Sequence, residues 1–222
     1  MNDLRKKSLE ATPTIYLTLI SIIQSLPLLL FAEQLDFKFE SPFEFFERML
    51  MYIAILQMIV ITWHEYALST ICFTWAVGFS DTWIPMLLGV CQYWVVGNAE
   101  IKKIGLFLLS LTIFVLLALL AFINRDRKMR RILSNEAARL KAGDALAKTK
   151  YWLGAALLEF AIGTLLIWHH PIGWPAVAVL GLVNASFIFQ AVRCEATYKP
   201  LLASERGESS GGGEASGASS AR

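Results

Sequence analysis

The chain has 222 residues, 56% of them hydrophobic and only 17% charged, with a formal net charge of +2 and a mean hydropathy of +0.53. Soluble domains carry about 25% charged residues, so this composition excludes an ordinary water-soluble globule, and so small a net charge offers no footing for nucleic acid. The three cysteines, Cys72, Cys91 and Cys194, are odd in number and widely spaced, which excludes a disulfide framework and a zinc site built on paired cysteines.

Long apolar runs alternate with short charged stretches, the pattern of an all-α, polytopic helical membrane protein. Residues 1–12 carry Arg5, Lys6 and Lys7 and are expected in the cytoplasm. The apolar run that follows, 13–31, mimics a signal peptide. It is longer than a signal core and lacks a small-residue cleavage site, so it reads as an uncleaved first span. An acidic loop with Glu33, Asp36, Glu40 and Glu44 leads to the second span, 43–66. Its start, Ser41-Pro42-Phe43-Glu44, has Ser at N-cap, Pro at N1 and Glu at N3, the pattern of a capping box.

The third span, 68–95, follows with almost no loop, which leaves His64 and Glu65 near the cytoplasmic interface. The fourth covers 104–123. The loop 124–150 holds Arg125, Arg127, Lys128, Arg130, Arg131, Arg139, Lys141, Lys148 and Lys150. Lysine and arginine in short loops mark the cytoplasmic side, so this loop is cytoplasmic. Arg125, Arg127, Lys128, Arg130 and Arg131 are its expected contacts with anionic lipid or a cytoplasmic partner. The fifth span, 151–168, ends in the His169-His170-Pro171-Ile172-Gly173 turn, and the sixth covers 174–192. Arg193 and Lys199 follow it.

The pattern therefore predicts six transmembrane helices, N-in and C-in, in a bacterial inner membrane. Lys102 and Lys103 fall on the outer side and run against the rule. The membrane domain covers 13–203. The tail 204–222, made of Ser, Gly, Ala and Glu, cannot bury a core and is expected to be disordered.

Centring each span on the bilayer brings Gln24, Gln57, Asp81, Glu159 and Asn184 to mid-membrane depth. An ionised carboxylate there costs roughly 3 kcal/mol on insertion scales. Asp81 and Glu159 are thus expected to face other helices, each protonated, hydrogen-bonded or paired. Pro85 removes the donor for the carbonyl of Asp81, and Pro27 does the same for Ile23, beside Gln24. Kinked helices beside polar groups recur in transporter binding sites. Ala155, Ala156 and Gly163 share the helical face of Glu159, and Asn184 on the next helix is its expected partner.

Phe79-Ser80-Asp81 resembles the Phe-Ser-Asp motif of the bacterial relatives of the lysosomal potassium channel. There the motif lies in the first span and here in the third, with the rest of the pattern missing, so no function carries over.

Two readings follow. In the first, the chain is a small transporter or channel, acting as a homo-oligomer. It handles protons or cations at Asp81 and Glu159, with Asn184, Gln57 and Gln24 in support and His64 and Glu65 as secondary candidates. In the second it is a non-transporting sensor, assembly subunit or defence-type effector, and the polar layer only fixes helix packing. No nucleotide loop, metalloprotease motif or nucleophile elbow is present, so no enzyme, cofactor or metal is expected.

Overall fold

A computed structural model describes residues 3–36, 41–72, 79–132, 136–169 and 173–211. They form six α-helices: α1 (Asp3–Gln34), α2 (Pro42–Cys72), α3 (Phe79–Gly97), α4 (Ile104–Ile132), α5 (Glu136–His169) and α6 (Trp174–Gly211). A short 3-10 turn, Ile101–Lys103, precedes α4. No strand occurs among the described residues.

Local chemistry explains several helix ends. The Glu44 amide donates to Ser41 Oγ at 3.2 Å, and the Phe45 amide donates to the Ser41 carbonyl. Ser41 is therefore the N-cap of α2. Glu44 does not complete the box; it accepts instead from Arg48, one turn later, at 3.0 Å. Gly173 enters α6 at a φ of +113°, a region that side chains bearing a Cβ rarely adopt. Its carbonyl accepts from the Ala176 and Val177 amides.

Two boundaries differ from the sequence reading. α2 continues past Tyr66 to Cys72, and the described part of α3 runs from Phe79, with residues 73–78 outside the described residues. The apolar run does not reveal where one helix stops and the next starts, because Leu68 to Cys72 suit either. α6 extends through Ser204 to Gly211, beyond the expected start of the disordered tail; residues 212–222 lie outside the described residues. The basic segment 124–150 divides between the end of α4 and the start of α5. Residues 133–135 lie outside the described residues.

The helices close into a ring in the order α1, α3, α4, α5, α6, α2 and back to α1, with α2 also touching α3. The interior is filled by Met51, Ile55 and Met58 of α2, Phe107, Leu108 and Leu111 of α4, and Phe160 and Leu180 of α5 and α6, all at most 1% exposed. These side chains belong to one continuous apolar cluster. The outside is apolar as well. Leu26, Val60, Val90, Leu120, Leu158 and Leu182, one from each helix, are 51–66% exposed. A protein in water does not expose apolar surface continuously around its girth, whereas lipid is the natural solvent for it.

Five helices contain stretches long and apolar enough to cross a membrane: Leu17–Gln34, Pro42–Leu68, Ile104–Arg127, Lys148–Trp168 and Trp174–Ala196. The apolar part of α3, Thr82–Gly97, is shorter. The chain is an all-helical, multi-pass membrane protein.

The two ends of the bundle differ. At one, Glu47 is 1% exposed and accepts from the Gly173 amide at 3.1 Å, tying α2 to the start of α6. The phenol of Tyr52 donates to the Gln34 carbonyl and accepts from the Asp36 amide, tying α2 to the end of α1. At the other end, Arg125 of α4 pairs with Glu65 of α2 at 3.3 Å, and Lys150 of α5 pairs with Asp126 of α4 at 2.5 Å.

Candidate functional site

Glu159 lies at the middle of the apolar part of α5, Lys148–Trp168, and Ser186 at the middle of that of α6, Trp174–Ala196. The Ser186 hydroxyl donates to Glu159 Oε2 at 2.5 Å. The other carboxylate oxygen, Oε1, is shielded from solvent and has no partner among the described residues.

The expected partner, Asn184, is turned elsewhere. Its Nδ2 donates to the Leu180 carbonyl at 2.7 Å and to the Leu50 carbonyl of α2 at 3.0 Å. At roughly 100° per residue, positions 184 and 186 point about 200° apart around α6. One of them faces α5 and the other α2. The small residues near Glu159 do serve close packing. A Cβ placed on Gly163 would come within 2.8 Å of Val179 Cγ1, so α5 and α6 approach closely one turn from the carboxylate.

Gln24 of α1 is 6% exposed and Gln57 of α2 half-buried, and the carbonyl oxygen of each has no donor among the described residues. Asp81 is the third residue of α3. Its side chain lies outside the described residues. Pro85 and Pro27 are buried inside continuous helices.

His64 is half-buried, and Glu65 is engaged with Arg125. Arg125 itself is 14% exposed and stacks on the Phe122 ring. Of the other cations expected to meet lipid or a partner, Arg127 is exposed; the side chains of Lys128, Arg130 and Arg131 lie outside the described residues.

Several polar contacts escaped the sequence reading. Gln92 of α3 is fully buried and donates to Thr62 Oγ1 of α2 at 3.0 Å, while Thr62 donates to the Met58 carbonyl at 2.7 Å. The hydroxyl proton of Thr62 is thereby committed, so Thr62 can only accept from Gln92. That orients the amide, with NH2 toward Thr62 and Oε1 away. Thr112 of α4 and Thr164 of α5 approach to 3.2 Å. Glu47 lies between Glu44 and Arg48 in the sequence, and its bond from the Gly173 amide joins residues 126 positions apart. The available signal was modest: each of Gln92, Thr62 and Thr112 stands within an apolar run, where a polar side chain needs a partner.

Of the polar residues expected at the midplane, two have bonds that join helices, and they join different pairs. Glu159 serves the α5–α6 interface and Asn184 the α6–α2 interface, Gln24 belongs to α1, and Asp81 to α3. No group of three or more His, Cys, Asp or Glu side chains suited to a metal ion occurs among the described residues. Compared with family models, with curated proteins and with solved structures, the chain matches none.

Proposed function

We propose that this chain is a six-span, N-in/C-in protein of a bacterial inner membrane that works as an interaction or assembly subunit rather than as a conduit. The observation that carries this is the filled interior. Met51, Ile55, Met58, Phe107, Leu108 and Leu111 occupy the middle of the ring at 0% exposure. Of the polar groups that a conduit would share, Glu159 bonds across α5 and α6 and Asn184 across α6 and α2.

Six crossings follow from connectivity. The end of α2 carries Glu65, which pairs with Arg125 near the far end of α4. The start of α4 is at the opposite end, where Gly105 lies against Trp168. α3 joins those two ends. Its 19 residues reach roughly 28 Å, close to the thickness of the hydrocarbon core.

Orientation rests on charge. Arg5, Lys6, Lys7 and the basic segment 124–150 belong to one end and Glu33, Asp36, Glu44 and Glu47 to the other. Two of the cations on the acidic side, Lys103 and Arg48, are neutralised locally. Lys103 pairs with Glu100 at 2.9 Å, and Arg48 pairs with Glu44 and Asp36. Trp152 and Trp168, exposed near the two ends of the α5 span, suit the two interfaces. The exposed Arg127, at the start of the basic stretch of sequence 124–150, then suits an acidic partner or anionic lipid on the cytoplasmic side.

The test is reconstitution. Purified protein in liposomes is expected to pass protons, Na+ and K+ no faster than protein-free vesicles, and changing Arg127, Lys128, Arg130 and Arg131 to Glu is expected to abolish co-purification of its partner. Flux above the protein-free rate that Glu159→Gln removes overturns the proposal.

A further inference from the structure

We infer that Arg193, seated on the rings of Trp152 and Phe189, binds the phosphate of an anionic phospholipid on the outer seam between α5 and α6. This is independent of whether the bundle conducts and of which end is cytoplasmic.

The rings build the site. Trp152 of α5 and Phe189 of α6 meet edge to face, with centroids 4.6 Å apart. Both are 40% exposed, so the pair looks outward from the bundle. The Arg193 guanidinium lies 5.4 Å from the Phe189 centroid and 5.5 Å from that of Trp152. An arginine within about 6 Å of a ring centroid is attracted by the ring quadrupole. Two rings on two helices therefore fix where this cation stands. They act through their π faces and consume none of its five N–H donors.

Depth follows from the spans. Trp152 is four residues inside the start of the α5 span, Lys148–Trp168, and Arg193 three residues short of the end of the α6 span, Trp174–Ala196. At 1.5 Å per residue both lie about 4–6 Å from the ends of the apolar stretches, the level where headgroups meet acyl chains. Charge agrees with this placement. Lys148 is exposed and one turn before Trp152, on the same face of α5. The acids closest in the chain are engaged or turned away. Asp126 holds Lys150, and Glu195 points about 200° from Arg193 around α6.

The surroundings select the ligand. Tyr151, Ile188 and Val192 flank the rings and are exposed, as are Leu158 and Leu182 nearer the middle of the two spans. The cation thus stands on a lipid-facing wall with apolar surface beneath it. A phospholipid matches both parts. Its phosphate oxygens accept from the guanidinium, and its chains lie along the apolar wall. An acidic protein loop would have to bring unpaired backbone to acyl-chain depth, which lipid does not tolerate.

Native mass spectrometry of the full-length protein in detergent, titrated with dioleoyl phosphatidylglycerol or dioleoyl phosphatidylcholine, tests this. Wild type is expected to bind one phosphatidylglycerol more tightly than phosphatidylcholine. Arg193→Gln should weaken phosphatidylglycerol binding about tenfold, the worth of one charge-assisted hydrogen bond, and remove the preference. Arg193→Lys keeps the charge and loses the planar group that lies over the rings, while Trp152→Leu removes one ring. Each should weaken binding about two- to fivefold, whereas a diffuse attraction of basic residues for anions would leave both unchanged. Inorganic phosphate alone should not displace the lipid, because it lacks the chains. The inference is overturned by equal binding of the two lipids to wild type, by a preference that survives in Arg193→Gln, by wild-type binding in Arg193→Lys or Trp152→Leu, or by displacement with phosphate.

Discussion

Gly89 offers a measurement in which one substitution has opposite signs at different places in the bundle. A methyl built on Gly89 of α3 would lie 2.2 Å from Ile23 Cγ2 of α1, with Ile23 Cβ at 3.7 Å. Ile23 is β-branched, and its helical side chain has one strongly favoured rotamer, so it has little freedom to turn away. The two helices would have to separate. Overpacking of this kind costs about 1–3 kcal/mol.

Replacing glycine by alanine inside a helix also gains about 1 kcal/mol of helix propensity. The same gain applies at Gly154 of α5 and Gly181 of α6, where a Cβ meets nothing within 4 Å. Gly154→Ala and Gly181→Ala are therefore expected to stabilise by up to about 1 kcal/mol. Gly89→Ala should lie about 1–3 kcal/mol below them, because the propensity term is common and only the clash differs.

Thermal or denaturant unfolding of the purified protein in one detergent compares the three. Adding Ile23→Ala to Gly89→Ala should recover most of the loss, with a coupling of about 0.5–3 kcal/mol in the double-mutant cycle. If the three alanine variants agree within about 0.5 kcal/mol, or if Ile23→Ala gives no rescue, the close approach of α1 and α3 is refuted.

Three further outcomes are open to the same unfolding assay. Thr62→Val is expected to destabilise by about 1–3 kcal/mol because it removes the 3.0 Å acceptor of the buried Gln92 NH2 and leaves it only the Met58 carbonyl at 3.5 Å, whereas Gln92→Leu should cost less, since Thr62 keeps its bond to the Met58 carbonyl; equal losses would contradict the network. Ser41→Ala should cost about 1 kcal/mol by removing the N-cap of α2, with Ser41→Asp close to wild type, and loss in both would show that the cap is not the cause. Arg125→Glu should destabilise by placing two acids together, and Glu65→Arg combined with it should recover part of the loss; a double variant no better than Arg125→Glu would sink the pairing of α2 with α4.

Much of the architecture was legible from the chain alone, because it depends on short-range or averaged properties. Run length and hydropathy report the spans, and the asymmetry of lysine and arginine predicts an orientation. The Ser41-Pro42 pair marks the start of α2 because capping involves only the first turn of a helix. What failed involved position along or around a helix. The apolar run 68–95 does not say where α2 ends, and α2 continues to Cys72.

Asn184 seemed the partner of Glu159 because both lie at the same depth, yet depth does not specify azimuth. Two positions apart on α6 is enough to turn Asn184 toward Leu50 and leave Ser186 facing the acid. The ring order, the burial of Glu47 beneath Gly173 and the fit of Ile23 against Gly89 are likewise invisible in sequence. Hydrophobicity, read residue by residue, separates membrane from water. Among helices that are all apolar it does not select neighbours, and there packing and the direction of individual hydrogen bonds decide.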